Sequence, residues 1–133
     1  MAKIVLDTEQ VEHLHIDLKL PPQNLHLMWF WWNGYEDDKE LTEAGCYGQE
    51  GNGEGTYTVS DITEVLPKTI IEEDKKYSLR IYYNEGKWRT DYYDITNNTE
   101  HPVLAWEDNE MVDSAYGLLC LMIRLNYIKT EKR

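Results

Sequence analysis

A chain of 133 residues with 41% apolar residues, ten Tyr and five Trp carries enough apolar area for one domain with a real core, which argues against intrinsic disorder. Its net charge of −12 repels phosphate backbones and anionic lipid, so neither direct nucleic-acid binding nor membrane attachment is expected, while a basic protein partner is allowed. Two cysteines, Cys46 and Cys120, are too few for a disulfide scaffold.

The N-terminus MAKIVLDTEQ lacks an apolar core of signal-peptide length, and no apolar run approaches the roughly 20 residues of a membrane span. The expected location is the cytoplasm.

Residues 7–20, DTEQVEHLHIDLKL, open with Asp7 and Thr8 as candidate N-caps and Gln10 three positions after Asp7. Val11, Leu14 and Leu18 fall at helical spacing, which favours a helix. The same stretch also alternates, with His13, His15 and Asp17 against Leu14, Ile16 and Leu18, so a strand over 12–18 is the competing reading. Pro21-Pro22 ends either element. LHLMWFWW, 25–32, reads as a strand apolar on both faces, hence a central one, and Asn33-Gly34 as a turn.

Residues 34–59 are rich in glycine and acid, with a short strand expected near 40–47 and a flexible loop beyond it. Residues 58–68 predict a short helix capped by Thr58 with Asp61 three positions on, striped by Val59, Ile62, Val65 and Leu66, and stopped by Pro67. Residues 76–95 predict a hairpin around Asn84-Glu85-Gly86, and PVLAW, 102–106, a further strand. Asn97-Asn98-Thr99 matches a glycosylation sequon but reads as a turn. Residues 108–128 give the strongest helix, capped by Asp108 or Asn109, with Met111, Ala115, Leu118, Leu119, Met122 and Ile123 on one face. The sum is a single α+β domain over 1–133. An antiparallel sheet of about three to five strands carries a long C-terminal helix and one or two short helices packed on it.

Candidate chemistry is sparse. His13 and His15 would share one side of a strand and reach a metal with His26 or Cys46, whereas on a helix they point apart; the second ligand pair of a zinc motif is missing. GQEGNGEG, 48–55, is followed by no Lys-Ser or Lys-Thr, and Glu50 and Glu54 would repel phosphate. Ser60 and Ser114 are explained by local structure, Cys120 as a small core residue. No catalytic, cofactor or metal residue is assigned. The aromatic excess reads first as core and then as interface, with Trp29, Trp31, Trp32 and Trp88 the candidate contact residues.

YTVSDITEVLPKTI with its Leu66-Pro67 stop, the hairpin KYSLRIYYNEGKWRTDYYDI, and the closing DSAYGLLCLMIRLNYI together resemble a class of small uncharacterised proteins carried by bacterial phages and prophages. The resemblance covers most of the chain and departs at the first helix. Its motifs are structural, so it implies a fold and supplies no activity and no site residues. The resulting expectation is a non-enzymatic protein acting through protein contacts, with another protein or as a homodimer. Two alternatives stand beside it. One is an acidic decoy for a host nucleic-acid-binding protein, using Glu36, Asp37, Asp38, Glu40 and Glu43. The other is a metal protein or enzyme using His13, His15 and Cys46.

Overall fold

The computed structural model describes residues 3, 5–20, 29–32, 40–43 and 53–130, with the backbone alone at 8, 29–32, 40–43 and 53–56. Helix α1 (Thr8–Glu12) opens with a full capping box: Asp7 accepts from the Gln10 backbone N–H, and the Gln10 side chain accepts from that of Asp7. It runs into a π-helical turn, His13–Asp17, and the Leu20 N–H bonds back to the Leu14 carbonyl. Helical spacing is thus realised over Thr8–Asp17, and the alternation at 12–18 makes no strand. The wider turn leaves Leu14 and Leu20 in the core.

Strand β1 (Trp29–Trp32) lies between β2 (Glu40–Glu43) and β3 (Gly53–Thr56), antiparallel to both. The aromatic strand is therefore central in its sheet, as expected. Its leading residues 25–28, and 44–47 of the second expected strand, lie outside the described residues. Strand β3 corrects the expected loop. Gly53 and Gly55 carry no β signal of their own, and it is pairing with Trp32 and Phe30 that extends them.

Helix α2 (Val59–Val65) has the expected Thr58–Asp61 capping box, and Leu66 turns to extended backbone ahead of Pro67. An antiparallel meander follows, in the order β4 (Thr69–Glu72), β5 (Lys75–Asn84), β6 (Lys87–Asp94) and β7 (Thr99–Asp108). At the hairpin tip Glu85 (φ 51°) and Gly86 (φ 85°) both take left-handed backbone, the type I′ geometry that matches strand twist. The β4–β5 turn uses Glu73 (φ 50°) and Asp74 (φ 65°) in the same way without a glycine, so nothing in the sequence announced β4. Asn97 and Asn98 lie in the turn between β6 and β7, where Asp94 accepts from the Asn97 backbone and side-chain amides.

Between Asp91 and Tyr93 the β6–β7 register jumps from Ala105 to Glu100, so β7 bulges over the intervening residues. The bulge withdraws the Val103 and Leu104 N–H groups from the ladder, and His101 Nδ1 accepts both at 3.1 Å. Helix α3 (Met111–Arg124) then crosses β6 and β7 and touches α2. Its N-cap is Glu110 and not Asp108 or Asn109; no side chain caps it, and the Asp108 carboxylate is taken by the Asn109 N–H. The expected apolar face is real: Ala115, Leu118, Leu119, Met122 and Ile123 are buried against Tyr77, Tyr92 and Leu104, and Met111 is partly buried. The fold is α+β, with a four-stranded antiparallel sheet, a long C-terminal helix on one face and shorter helices.

Candidate functional site

Strand alternation splits β4–β7 into an inner face under α3 and an outer face that no described helix covers. Asp91 points outward, yet it is 0% exposed. Two arginines roof it. Arg80 donates from Nε to Asp91 Oδ1 at 2.8 Å and from Nη2 to Oδ2 at 3.2 Å, and Arg89 Nε donates to Oδ2 at 2.8 Å. Arg89 also pairs with Glu100 at 2.9 Å and Glu107 at 3.3 Å. The Arg80 guanidinium lies 3.9 Å from the Tyr93 ring centroid and 4.5 Å from that of Tyr82. The Asp91 hydrogen bonds hold the Arg80 guanidinium above its ordinary value. Ile71 (73% exposed) stands on the same face, carried there by its pairing with Lys76.

The inner face ends in a second network. His101 Nδ1 is an acceptor, so Nε2 carries the proton and donates to Glu72 Oε1 at 2.8 Å. The Tyr127 hydroxyl donates to the other Glu72 oxygen. Glu72 is held below the usual carboxylate range, first by Tyr127 and then by His101. Tyr127 is pushed up to about 12, first by that same bond to Glu72. This network ties the segment after α3 to β4. Deeper in the core, Thr90 Oγ1 and Ser114 Oγ pair at 2.8 Å, and Ser114 donates to the Met111 carbonyl.

The pair sets a pH dependence with opposite signs at the two ends. Tyr127, raised to about 12 from 10.0, and Tyr57, raised to about 12 by burial and the Asp61 charge, contribute stability in full below pH 10. That contribution is lost as pH rises through 10 to 12. Glu72, depressed, contributes stability that is lost as pH falls through its folded-state value. Urea midpoints followed over pH should therefore fall at both ends, and Tyr127→Phe should shallow both limbs. Unchanged limbs in that variant would refute the assignment.

A third feature is a groove of about 350 Å³ along α3, between α1 and β7, lined among others by His13, Trp106, Tyr116, Gly117, Cys120 and Arg124. Arg124 Nη2 can only donate, so His13 Nε2 accepts from it at 3.0 Å, and His13 Nδ1 donates to Asp17 at 2.8 Å. At the other end Lys3 Nζ and Gln10 Nε2 both donate to Asp113, at 2.9 and 2.8 Å. Burial pushes the Cys120 thiol up, which makes it a poor nucleophile.

The sequence candidates scatter. His13 faces Asp17 and Arg124, while His15 Nε2 pairs with the Tyr57 hydroxyl at 2.7 Å and burial holds the imidazole below its ordinary value. The two imidazoles are not brought together. Among the described residues no three of His, Cys, Asp and Glu form a group able to hold a metal. His26, Cys46 and the 48–52 part of the Gly-rich loop lie outside the described residues, as do Glu36, Asp37 and Asp38; Glu40 and Glu43 bound β2. Ser60 sits exposed in α2, and Ser114 contacts no histidine but Thr90 and Met111. Trp29, Trp31 and Trp32 lie on β1, whose side chains are not described. Trp88 is half-buried on the inner side, its ring 5.4 Å from that of Tyr83.

Sequence reasoning missed Arg80, Asp91 and Trp106. The sequence does carry a signal for the first two: strand alternation along 87–94 sets Asp91 on the face of Arg89 and Tyr93, and a carboxylate at the centre of a sheet needs cationic partners on adjoining strands. Among the described residues no helix is long and apolar enough to cross a membrane. The chain matches no protein-family model, no curated protein and no solved structure.

Proposed function

We propose that the chain is a non-enzymatic binding protein of the phage or prophage type its motifs resemble, working in the cytoplasm by contact with a basic protein through the outer face of β4–β7. The observation that carries this reading is the set Arg80, Tyr82, Arg89 and Tyr93, covered by no helix among the described residues and fixed around buried Asp91. Tyr and Arg dominate binding hot spots, and side chains already held in place lose little freedom on association. Two chains of charge −12 repel each other, so a basic partner is favoured over a second copy. The free thiol of Cys120 suits a reducing compartment.

Affinity capture of the tagged chain from bacterial lysate, beside a charge-matched acidic control, tests the proposal. A basic protein should be retained by the wild type and depleted about tenfold or more by Tyr82→Ala or Ile71→Asp, each being worth the loss of one interface anchor. Retention unchanged by both substitutions sinks the outer-face reading. A captured nucleic-acid enzyme released by neutralising Glu36, Asp37, Asp38, Glu40 and Glu43 would replace it with the acidic decoy. Capture of the chain by itself alone would replace it with a homodimer.

A further inference from the structure

We infer that the groove along α3 is a binding site for a small planar aromatic carboxylate, its ring against Trp106 and Tyr116 and its anion on Arg124. The inference is independent of the outer face, because the groove opens on the helix side of the sheet. Asp113, Gly117, Cys120 and Arg124 recur at three- and four-residue intervals, so they follow one face of α3. Trp106 comes from β7 and lays its indole directly on Gly117, where a side chain of any size would lift it away. An indole left 41% exposed beside such a floor is a flat apolar surface with room on its open side. About 350 Å³ falls near the lower bound for ligand pockets, the size of a bicyclic ring.

The charge comes from what the groove leaves unspent. Asp113 is paired with Lys3, and the Asp108 carboxylate, hydrogen-bonded to the Asn109 N–H, stands at the far end of the groove from Arg124. Arg124 has no carboxylate within ion-pair distance among the described residues; its one polar partner there is the acceptor nitrogen of His13. Arg124 lines the groove, and a guanidinium keeps most of its N–H donors free when only one nitrogen is engaged. His13, donating to Asp17 and accepting from Arg124, fixes the guanidinium at the end of the groove.

The test is an amide and indole N–H NMR titration of the full chain with 1-naphthoate, beside neutral 1-naphthalenemethanol. Saturable shifts centred on the Trp106 indole N–H and the Gly117 amide are expected. Naphthoate should bind about fivefold tighter than the alcohol, the gain of one partly solvated Arg–carboxylate pair. Arg124→Gln, at an exposed position, should erase that preference and keep the shifts. Three results would overturn the proposal: no saturable shift at millimolar probe, equal affinity for acid and alcohol in the wild type, or shifts mapping to the outer face around Tyr82.

Discussion

Replacing Arg80 and Arg89 together by methionine is expected to destabilise the protein by about 3–5 kcal/mol, while either replacement alone costs about 1 kcal/mol. The asymmetry follows from Asp91. Its carboxylate is 0% exposed and accepts three guanidinium hydrogen bonds, two from Arg80 and one from Arg89. With one arginine gone the other still neutralises it. The side chain of Arg80 is 34% exposed and that of Arg89 19%, so each single loss is softened by water. With both gone, the methionine stems still roof the site and a carboxylate is left buried without a counter-charge. Urea denaturation of the four proteins in the cycle measures the coupling, expected at about 1–3 kcal/mol. Additive losses would mean that Asp91 reaches solvent once one arginine leaves. Adding Asp91→Leu to the double variant should recover much of the loss, because an apolar group of similar volume needs no partner.

Most of the frame was legible because it rests on local signals. The Asp7–Gln10 and Thr58–Asp61 boxes form as their spacing requires. The hairpin closes on Glu85-Gly86, and the apolar face of 111–123 is the face that packs. What was hidden depends on partners far away in sequence. Strand β4 ends in a turn of Glu73 and Asp74, two residues that take positive φ only because the strands on either side hold them there. Strand β3 is glycine-rich and is set by β1. The ten residues of β7 read as five, since the bulge around Pro102 interrupts the alternation that reveals a strand. The candidate site was hidden for the same reason. Arg80 and Asp91 lie eleven positions apart, and only the hairpin register places them opposite each other. The histidines misled in the other direction: a two-residue spacing suggests shared ligation only on a strand, and residues 13–17 are a helical turn.

Trp106 and Gly117 supply the second large effect, and here the sign of a substitution should reverse with its background. In a helix interior alanine is favoured over glycine by about 1 kcal/mol, so Gly117→Ala would ordinarily stabilise α3. Here the added Cβ overlaps the Trp106 ring, and the three nearest atoms to it all belong to that indole. The ring must leave the helix or the helix must shift. Overpacking of this kind costs about 1–3 kcal/mol, enough to outweigh the propensity gain. Gly117→Ala should therefore lower the urea midpoint and red-shift the tryptophan emission as the indole enters water. In a Trp106→Ala background the clash is gone, and the same change at 117 should raise stability by up to about 1 kcal/mol. Destabilisation in both backgrounds would show that Gly117 is required for some contact other than Trp106, and stabilisation in both would show that the indole moves aside freely. A reversal would establish that this glycine is kept for the aromatic ring seated on it, and that the groove wall formed by Trp106 depends on the absence of a single methyl group.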